Sequence, residues 1–143
     1  MLVAAVALVL PLAACSSDDD GADPPAATAA SPAPPEGVTL IGADEGMALL
    51  DERDDLVVID VRTPEEFAEG HLPDAVNIDL QGSFEDEIAT LDPDATYVVY
   101  CRSGNRSAVA AATMAEAGFT DVYDLGGIVD WQAAGGEVVV PTG

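Results

Sequence analysis

The sequence contains no lysine, and its four arginines stand against 27 acidic residues, which gives a formal net charge of −23. Nucleic-acid phosphates repel a chain of this charge, so nucleic acid is excluded as a partner. The two cysteines, Cys15 and Cys101, are too few for a disulfide framework. No spacing of histidine, cysteine and carboxylate residues predicts a metal site, and no Cys-x-x-Cys pair predicts dithiol redox chemistry. We therefore expect neither a metal nor another cofactor.

Segment 1–14 is apolar and uncharged, but it is shorter than the roughly 20 residues that a membrane-spanning helix needs. It is typical of the apolar part of a secretory signal peptide, and because no basic residue precedes it, we expect the natural start to lie upstream of Met1. Leu12-Ala13-Ala14-Cys15 resembles a bacterial lipobox, which implies a lipid on Cys15 that anchors the protein to the outer face of the cell membrane. The alternative is an ordinary signal peptide with an unmodified Cys15.

The composition divides the rest of the chain into two parts. Segment 15–36 is rich in Ser, Asp, Ala and Pro and has no aromatic residue, which predicts a disordered linker behind the lipidated cysteine. Segment 37–143 suits one small folded domain.

Within this domain, the stretch 97–107 carries the clearest chemical signal. Tyr97-Val98-Val99-Tyr100 predicts a buried strand that leads into Cys101, and the alanine-rich segment 107–117 predicts a helix that Gly118 ends. In a short strand-to-helix loop, backbone N–H groups converge and the helix dipole adds positive potential, so a thiolate is favoured. A thiolate is the nucleophilic form of cysteine.

The few cations of the chain gather at the same place, because Arg102 and Arg106 both flank Cys101. This concentration favours a reactive cysteine that meets an anion. The alternative is a buried free cysteine that acts only as a small hydrophobic residue.

Strand and helix patterns alternate along the domain. The predicted strands are 38–41, 56–59, 76–78, 97–100 and 122–125, and the predicted helices are 43–51, one that starts at Thr63-Pro64, one that carries Phe84 and Ile88, 107–117 and 128–134. This alternation predicts an α/β fold with a small, mostly parallel sheet flanked by helices on both faces. Val138-Val139-Val140 fits either a last strand or a loose tail.

Four motifs, in the same order along the chain, resemble those of the rhodanese-like sulfurtransferases. They are Asp60-Val61-Arg62, Gly70-His71-Leu72-Pro73, the loop Cys101–Ser107 and Gly126-Gly127 followed by Trp131. The resemblance covers residues 38–134 and implies that Cys101 takes up a sulfane sulfur as a persulfide. Asp74 departs from the family, which usually has glycine at this position.

The implied reaction is a two-step sulfur transfer. Cys101 attacks the outer sulfur of a small anion such as thiosulfate, or of a persulfide donor, and a thiol or cyanide-like acceptor then removes that sulfur. The loop N–H groups stabilise the persulfide anion, and the arginines attract the donor. The expected substrate-binding residues are Arg102, Ser103, Gly104, Asn105, Arg106 and Ser107.

Outside the loop, Asp60 and Arg62 are expected to support the site, Arg62 by pairing with Glu66 or another nearby acid. His71 could act as a base, but a turn residue is the favoured interpretation. Trp131 is expected in the core.

Three alternatives to a sulfurtransferase stay open. A phosphatase or arsenate reductase on the same scaffold is disfavoured, because it has five residues between Cys and Arg where Arg102-Ser103-Gly104-Asn105 provides four. A membrane-tethered persulfide carrier or docking module would differ by lacking steady-state turnover. A redox-sensing thiol would oxidise with peroxide without transferring sulfur.

Overall fold

The computed structural model describes residues 33–142, so the predicted signal peptide, Cys15 and most of the predicted linker lie outside the described residues. Strands and helices alternate along the described part. They are β1 (Val38–Leu40), α1 (Ala43–Glu52), β2 (Val57–Asp60), α2 (Pro64–Glu69), β3 (Val76–Asn77), α3 (Phe84–Ile88), β4 (Tyr97–Cys101), α4 (Asn105–Glu116), β5 (Val122–Gly127) and α5 (Ile128–Ala133). None of these helices is both long and apolar enough to cross a membrane.

The five strands form one parallel sheet in the order β1-β5-β4-β2-β3. The predicted α/β class, with a parallel sheet flanked by helices, is confirmed. The strand that precedes the cysteine loop, β4, occupies the centre, as its unbroken apolar run indicates. Because β2 and β4 are neighbours and parallel, the loops that follow Asp60 and Cys101 leave the same edge of the sheet.

The helices bury both faces of the sheet, and the side chains of β4 point alternately to these two faces. Val99 and Cys101 pack into the cluster that contains Met114 of α4, whereas Val98 and Tyr100 pack into the cluster that contains Trp131 of α5. Successive side chains of a strand point to opposite faces, so one apolar strand supplies both cores. Cys101 therefore belongs to the α4 side of the sheet.

Helix α4 begins at Asn105, two residues earlier than the sequence predicts. The physical reason is Gly104, whose φ of +97° turns the chain directly into the helix. The connection after Cys101 is therefore only three residues long, and Arg106 and Ser107 lie in the first helical turn.

The segment around Val139 is neither a strand of the sheet nor a loose tail. Val139 and His71 exchange two backbone hydrogen bonds, of 2.9 and 2.8 Å, as an isolated antiparallel bridge. The Trp131 indole N–H donates to the Glu137 carbonyl at 2.8 Å. This segment therefore closes over the loop that precedes β3.

Asp74 adopts a left-handed conformation, with φ of +57°. Glycine enters this region without a steric penalty, and aspartate tolerates it better than most other residues. The turn is kept, since the Ala75 N–H donates to the Leu72 carbonyl at 3.2 Å. Aspartate therefore occupies the left-handed position of this turn.

Candidate active site

Cys101 is the last residue of β4, and its side chain is buried, with 1% of the residue exposed. Its Sγ accepts a hydrogen bond of 3.0 Å from the Gly104 backbone N–H. The N-terminus of α4 follows immediately, so its dipole adds positive potential beside the sulfur. The two effects favour negative charge on a group at this position.

Ser107 ties the cysteine loop to the neighbouring strand. Its Oγ lies 3.0 Å from the Gly104 carbonyl and 3.3 Å from the Gly126 carbonyl, so its hydroxyl proton can be donated to either one. The side chain is fully buried. Ser107 therefore helps to hold Gly104, whose N–H donates to the Cys101 sulfur.

Gly127 packs directly against the same loop. A Cβ atom at this position would lie 2.5 Å from the Arg102 carbonyl oxygen and 2.8 Å from the Ser103 Cα, closer than real Cβ contacts allow. The Val129 N–H also donates to the Arg102 carbonyl, at 3.3 Å. The absence of a side chain thus lets the β5–α5 connection support the loop by backbone contact.

The two arginines of the loop have different surroundings. Arg106 forms a bidentate ion pair with Glu66, with Nη1–Oε2 at 2.6 Å and Nη2–Oε1 at 2.8 Å. Hydrogen bonding from Arg106 is the main cause that lowers the pKa of Glu66 to about 2. Arg102 is exposed, and it is the one arginine within residues 33–142 that forms no ion pair.

Asp60 and Arg62 form a buried ion pair at the end of β2. Arg62 Nη2 lies 2.6 Å from Asp60 Oδ2 and donates to the Gly70 carbonyl at 2.7 Å. Burial opposes the charge of Arg62, yet the hydrogen bonds and charge of Asp60 hold its pKa above the ordinary value. The partner of Arg62 is therefore Asp60, the nearby acid, and not Glu66.

Tyr100 completes this buried network, since its hydroxyl donates to Asp60 Oδ2 at 2.6 Å. It also accepts a hydrogen bond of 3.1 Å from the Leu72 N–H. Burial, with the adjacent Asp60 carboxylate, raises the pKa of Tyr100 well above its ordinary range. Asp60 and Arg62 thus shape the loop next to the cysteine and point away from solvent.

His71 lies just before the turn at Pro73-Asp74 and is stacked on the ring of Phe67 with a centroid distance of 3.7 Å. Its Nδ1 lies 3.0 Å from the Phe67 carbonyl oxygen. Its backbone carries the bridge to Val139. These contacts are structural, and they place His71 in an isolated bridge just before the turn and not in the turn itself.

Sequence reasoning missed three residues that hold the site. The sequence predicts Glu66 as the helix-cap partner of Thr63, which it is, or as the partner of Arg62, but not as the partner of Arg106, and it predicts Tyr100 only as part of the strand. Asp124 is buried beside the glycine pair, accepts a 3.0 Å hydrogen bond from the Gly126 N–H, and has a pKa raised by burial. A charged residue inside the otherwise apolar run 122–125 was the available signal for Asp124.

The geometry defines a class of α/β protein in which a single cysteine ends the central parallel strand and faces the backbone donors of the following loop. Residues 43–134 match the family model described as "Rhodanese-like domain". This match spans more than half of the chain, and the protein belongs to the rhodanese-like family.

The names of three similar proteins indicate a class of reaction. The chain is 36% identical over 95 residues to a sulfurtransferase of Allochromatium vinosum, covering 66% of this chain and 88% of that one. It is 46% identical over 77 residues to the thiosulfate sulfurtransferase GlpE of Pseudomonas aeruginosa, covering 53% and 69%. The polysulfide-sulfur transferase of Wolinella succinogenes has a similar structure, with a TM-score of 0.62, 28% identity and coverage of 74% and 81%. These relatives support sulfurtransferase activity in this chain.

Proposed function

We propose that this protein transfers a sulfane sulfur from thiosulfate or a similar donor to a thiophilic acceptor through a persulfide on Cys101. The main support for this proposal is the hydrogen bond from the Gly104 N–H to the Cys101 sulfur at the N-terminus of α4. The same donor can meet the outer sulfur of a persulfide after small changes in the loop. Thiosulfate and polysulfide appear in the names of similar transferases.

The proposed first step forms one bond and breaks another. The Cys101 thiolate attacks the outer sulfur of thiosulfate, a new S–S bond forms, and the original S–S bond breaks with its electron pair leaving on sulfite. Cys101 then carries a persulfide anion. Arg102, which is exposed and directly follows Cys101 in the chain, attracts the anionic donor, and the N–H groups of segment 102–107 stabilise the intermediate.

The second step regenerates the thiolate. A thiol or cyanide-like acceptor attacks the outer sulfur of the persulfide, and the electron pair of the S–S bond returns to Cys101. No net oxidation occurs over the cycle, so no external electron carrier is needed.

The intact mass of the full chain before and after thiosulfate tests this proposal. We expect a gain of one sulfur atom that cyanide removes, unchanged in Cys15→Ser and absent in Cys101→Ser. No gain with thiosulfate or any other sulfane donor would contradict the proposal. Steady-state turnover with cyanide then distinguishes an enzyme from a carrier, which would load sulfur once without turning over.

We also propose that Cys15 carries a lipid that anchors the protein to the outer face of the membrane. The support is the Leu12-Ala13-Ala14-Cys15 segment and the polar stretch that follows it. Incorporation of a labelled fatty acid in a bacterial host should occur in the wild-type chain and be lost in Cys15→Ser. Equal labelling of both chains would contradict lipidation at this residue.

A further inference from the structure

The ion pair between Arg106 and Glu66 joins two elements that are distant in sequence. Arg106 lies in the first turn of α4, beside Cys101, and Glu66 lies in the first turn of α2. Both guanidinium Nη atoms are used, at 2.6 and 2.8 Å, and both side chains are about one-quarter exposed. The paired geometry fixes the orientation of the guanidinium as well as its position.

A second set of contacts keeps Glu66 in place. The Thr63 N–H donates to Glu66 Oε2 at 3.2 Å, and the Glu66 N–H donates to Thr63 Oγ at 3.3 Å. The N-terminal cap of α2 thus fixes the Glu66 side chain independently of its ion pair with Arg106. The carboxylate holds Arg106 from a prearranged position, so turning Arg106 toward a donor would break both hydrogen bonds of the ion pair.

This pair changes the charge that an incoming donor meets. The sequence places two positive charges in the loop, but Glu66 cancels one, so Arg102, Arg106 and Glu66 together leave a formal charge of +1. The chain as a whole carries −23. A dianion such as thiosulfate therefore meets one uncompensated cation within a strongly negative protein. A donor with one negative charge is balanced by that cation, and a neutral donor is not repelled by the protein.

On the basis of the proposed persulfide chemistry, we infer that Glu66 is a specificity-determining residue. By holding Arg106, it favours singly charged or neutral sulfane-sulfur donors over the thiosulfate dianion. The persulfide of a small uncharged thiol is such a donor. Glu66 acts through Arg106 and does not contact the reacting sulfur.

The favoured donor reacts by the same displacement. The Cys101 thiolate attacks the outer sulfur of R–S–SH, the S–S bond of the donor breaks, and the electron pair leaves on the thiolate R–S⁻. The proton stays on the transferred sulfur, so Cys101 becomes Cys–S–SH. The leaving group carries one negative charge, where thiosulfate releases a doubly charged sulfite.

The test measures the rate at which Cys101 gains sulfur from two donors, thiosulfate and the persulfide of 2-mercaptoethanol generated in situ. Loading is followed by the intact mass of the full chain with no acceptor present. The variant is Glu66→Gln, which keeps an N3 side chain that can cap α2. The matched control is Glu65→Gln, because Glu65 is exposed in the same helix and the substitution removes the same charge.

We expect the rate constant for loading from thiosulfate to be on the order of tenfold higher in Glu66→Gln than in Glu65→Gln, because the Arg106 guanidinium is then free to attract the donor. The rate constant for the persulfide should stay within about threefold of wild type. Parallel changes with both donors, or equal behaviour of the two glutamine variants, would overturn the inference. Failure of every donor to load wild-type Cys101 would instead overturn the proposed function.

A second variant leaves Glu66 and its helix unchanged. Arg102 is exposed, so Arg102→Gln should fold normally. If Arg102 is the one cation available to the donor, this variant should lower thiosulfate loading on the order of tenfold and affect the persulfide, which carries at most one negative charge, far less. An equal loss with both donors, or no loss with thiosulfate, would contradict the assignment.

Discussion

The Tyr100 hydroxyl donates a 2.6 Å hydrogen bond to Asp60 Oδ2 and thereby connects the buried ends of two neighbouring strands. The residues are 40 positions apart in sequence, and Asp60 is fully buried. The same hydroxyl accepts from the Leu72 N–H, and the same carboxylate holds Arg62. This network fixes the segments that follow β2, at the same edge of the sheet as Cys101 at the end of β4.

Tyr100→Phe tests the contribution of the hydroxyl. The variant leaves the Leu72 N–H buried without its acceptor, so the free energy of unfolding should fall by about 1–3 kcal/mol. Urea unfolding provides the measurement. Tyr123→Phe is the matched control, because the Tyr123 hydroxyl forms no hydrogen bond within the described part of the chain, and it should change stability by less than about 0.5 kcal/mol. Equal effects of the two variants would refute this role of Tyr100.

The ion pair of Glu66 predicts a pH dependence of stability. Its pKa falls from the ordinary 4.5 to about 2 on folding, so its contribution is complete above pH 4.5 and is lost as the pH falls toward 2. In thermal unfolding, the free energy of unfolding of wild type should exceed that of Glu66→Gln by about 1 kcal/mol near neutral pH, the usual upper size for an ion pair that solvent still reaches. The difference should shrink steadily below pH 4.5. A difference that stays constant down to pH 2.5 would show that the carboxylate is not stabilised by folding.

Gly127→Ala should displace the cysteine loop. The new methyl group would meet the Arg102 carbonyl and the Ser103 Cα, and a displacement of about 1 Å at a reacting group can cost about a hundredfold in rate. Sulfur loading of Cys101 from thiosulfate is the readout, with circular dichroism to verify folding. Gly82→Ala is the control, because its nearest contact is at 3.4 Å. Wild-type loading in folded Gly127→Ala would contradict this packing role.

Asp74 allows a test of the left-handed turn. Alanine lacks the side chain that lets aspartate tolerate φ of +57°, so Asp74→Ala should lower the free energy of unfolding by about 1 kcal/mol. Asp74→Gly should stay within about 0.5 kcal/mol of wild type, since easier backbone geometry offsets the greater freedom of the unfolded chain. Urea midpoints measure both. An alanine variant as stable as the glycine variant would indicate that the turn relaxes.

Local sequence predicted most of the architecture because its signals act over a few residues. The apolar run before Cys101 specified a strand buried on both faces, and the alanine-rich run after it specified a helix. Thr63, Pro64 and Glu66 specified the start of α2, which forms with both cap hydrogen bonds. Each of these choices depends on backbone propensity or on neighbours within one helical turn.

The sequence by itself therefore determined the order and type of the elements, and the position of Cys101 between a strand and a helix. Only the tertiary structure decided that Glu66 meets Arg106, 40 positions away, and leaves Arg62 to its near neighbour Asp60. Charge pairing depends on distances of a few ångströms between segments that the chain brings together only on folding. For the same reason, the charge offered to a donor near Cys101 follows from the ion pair that joins α2 to α4.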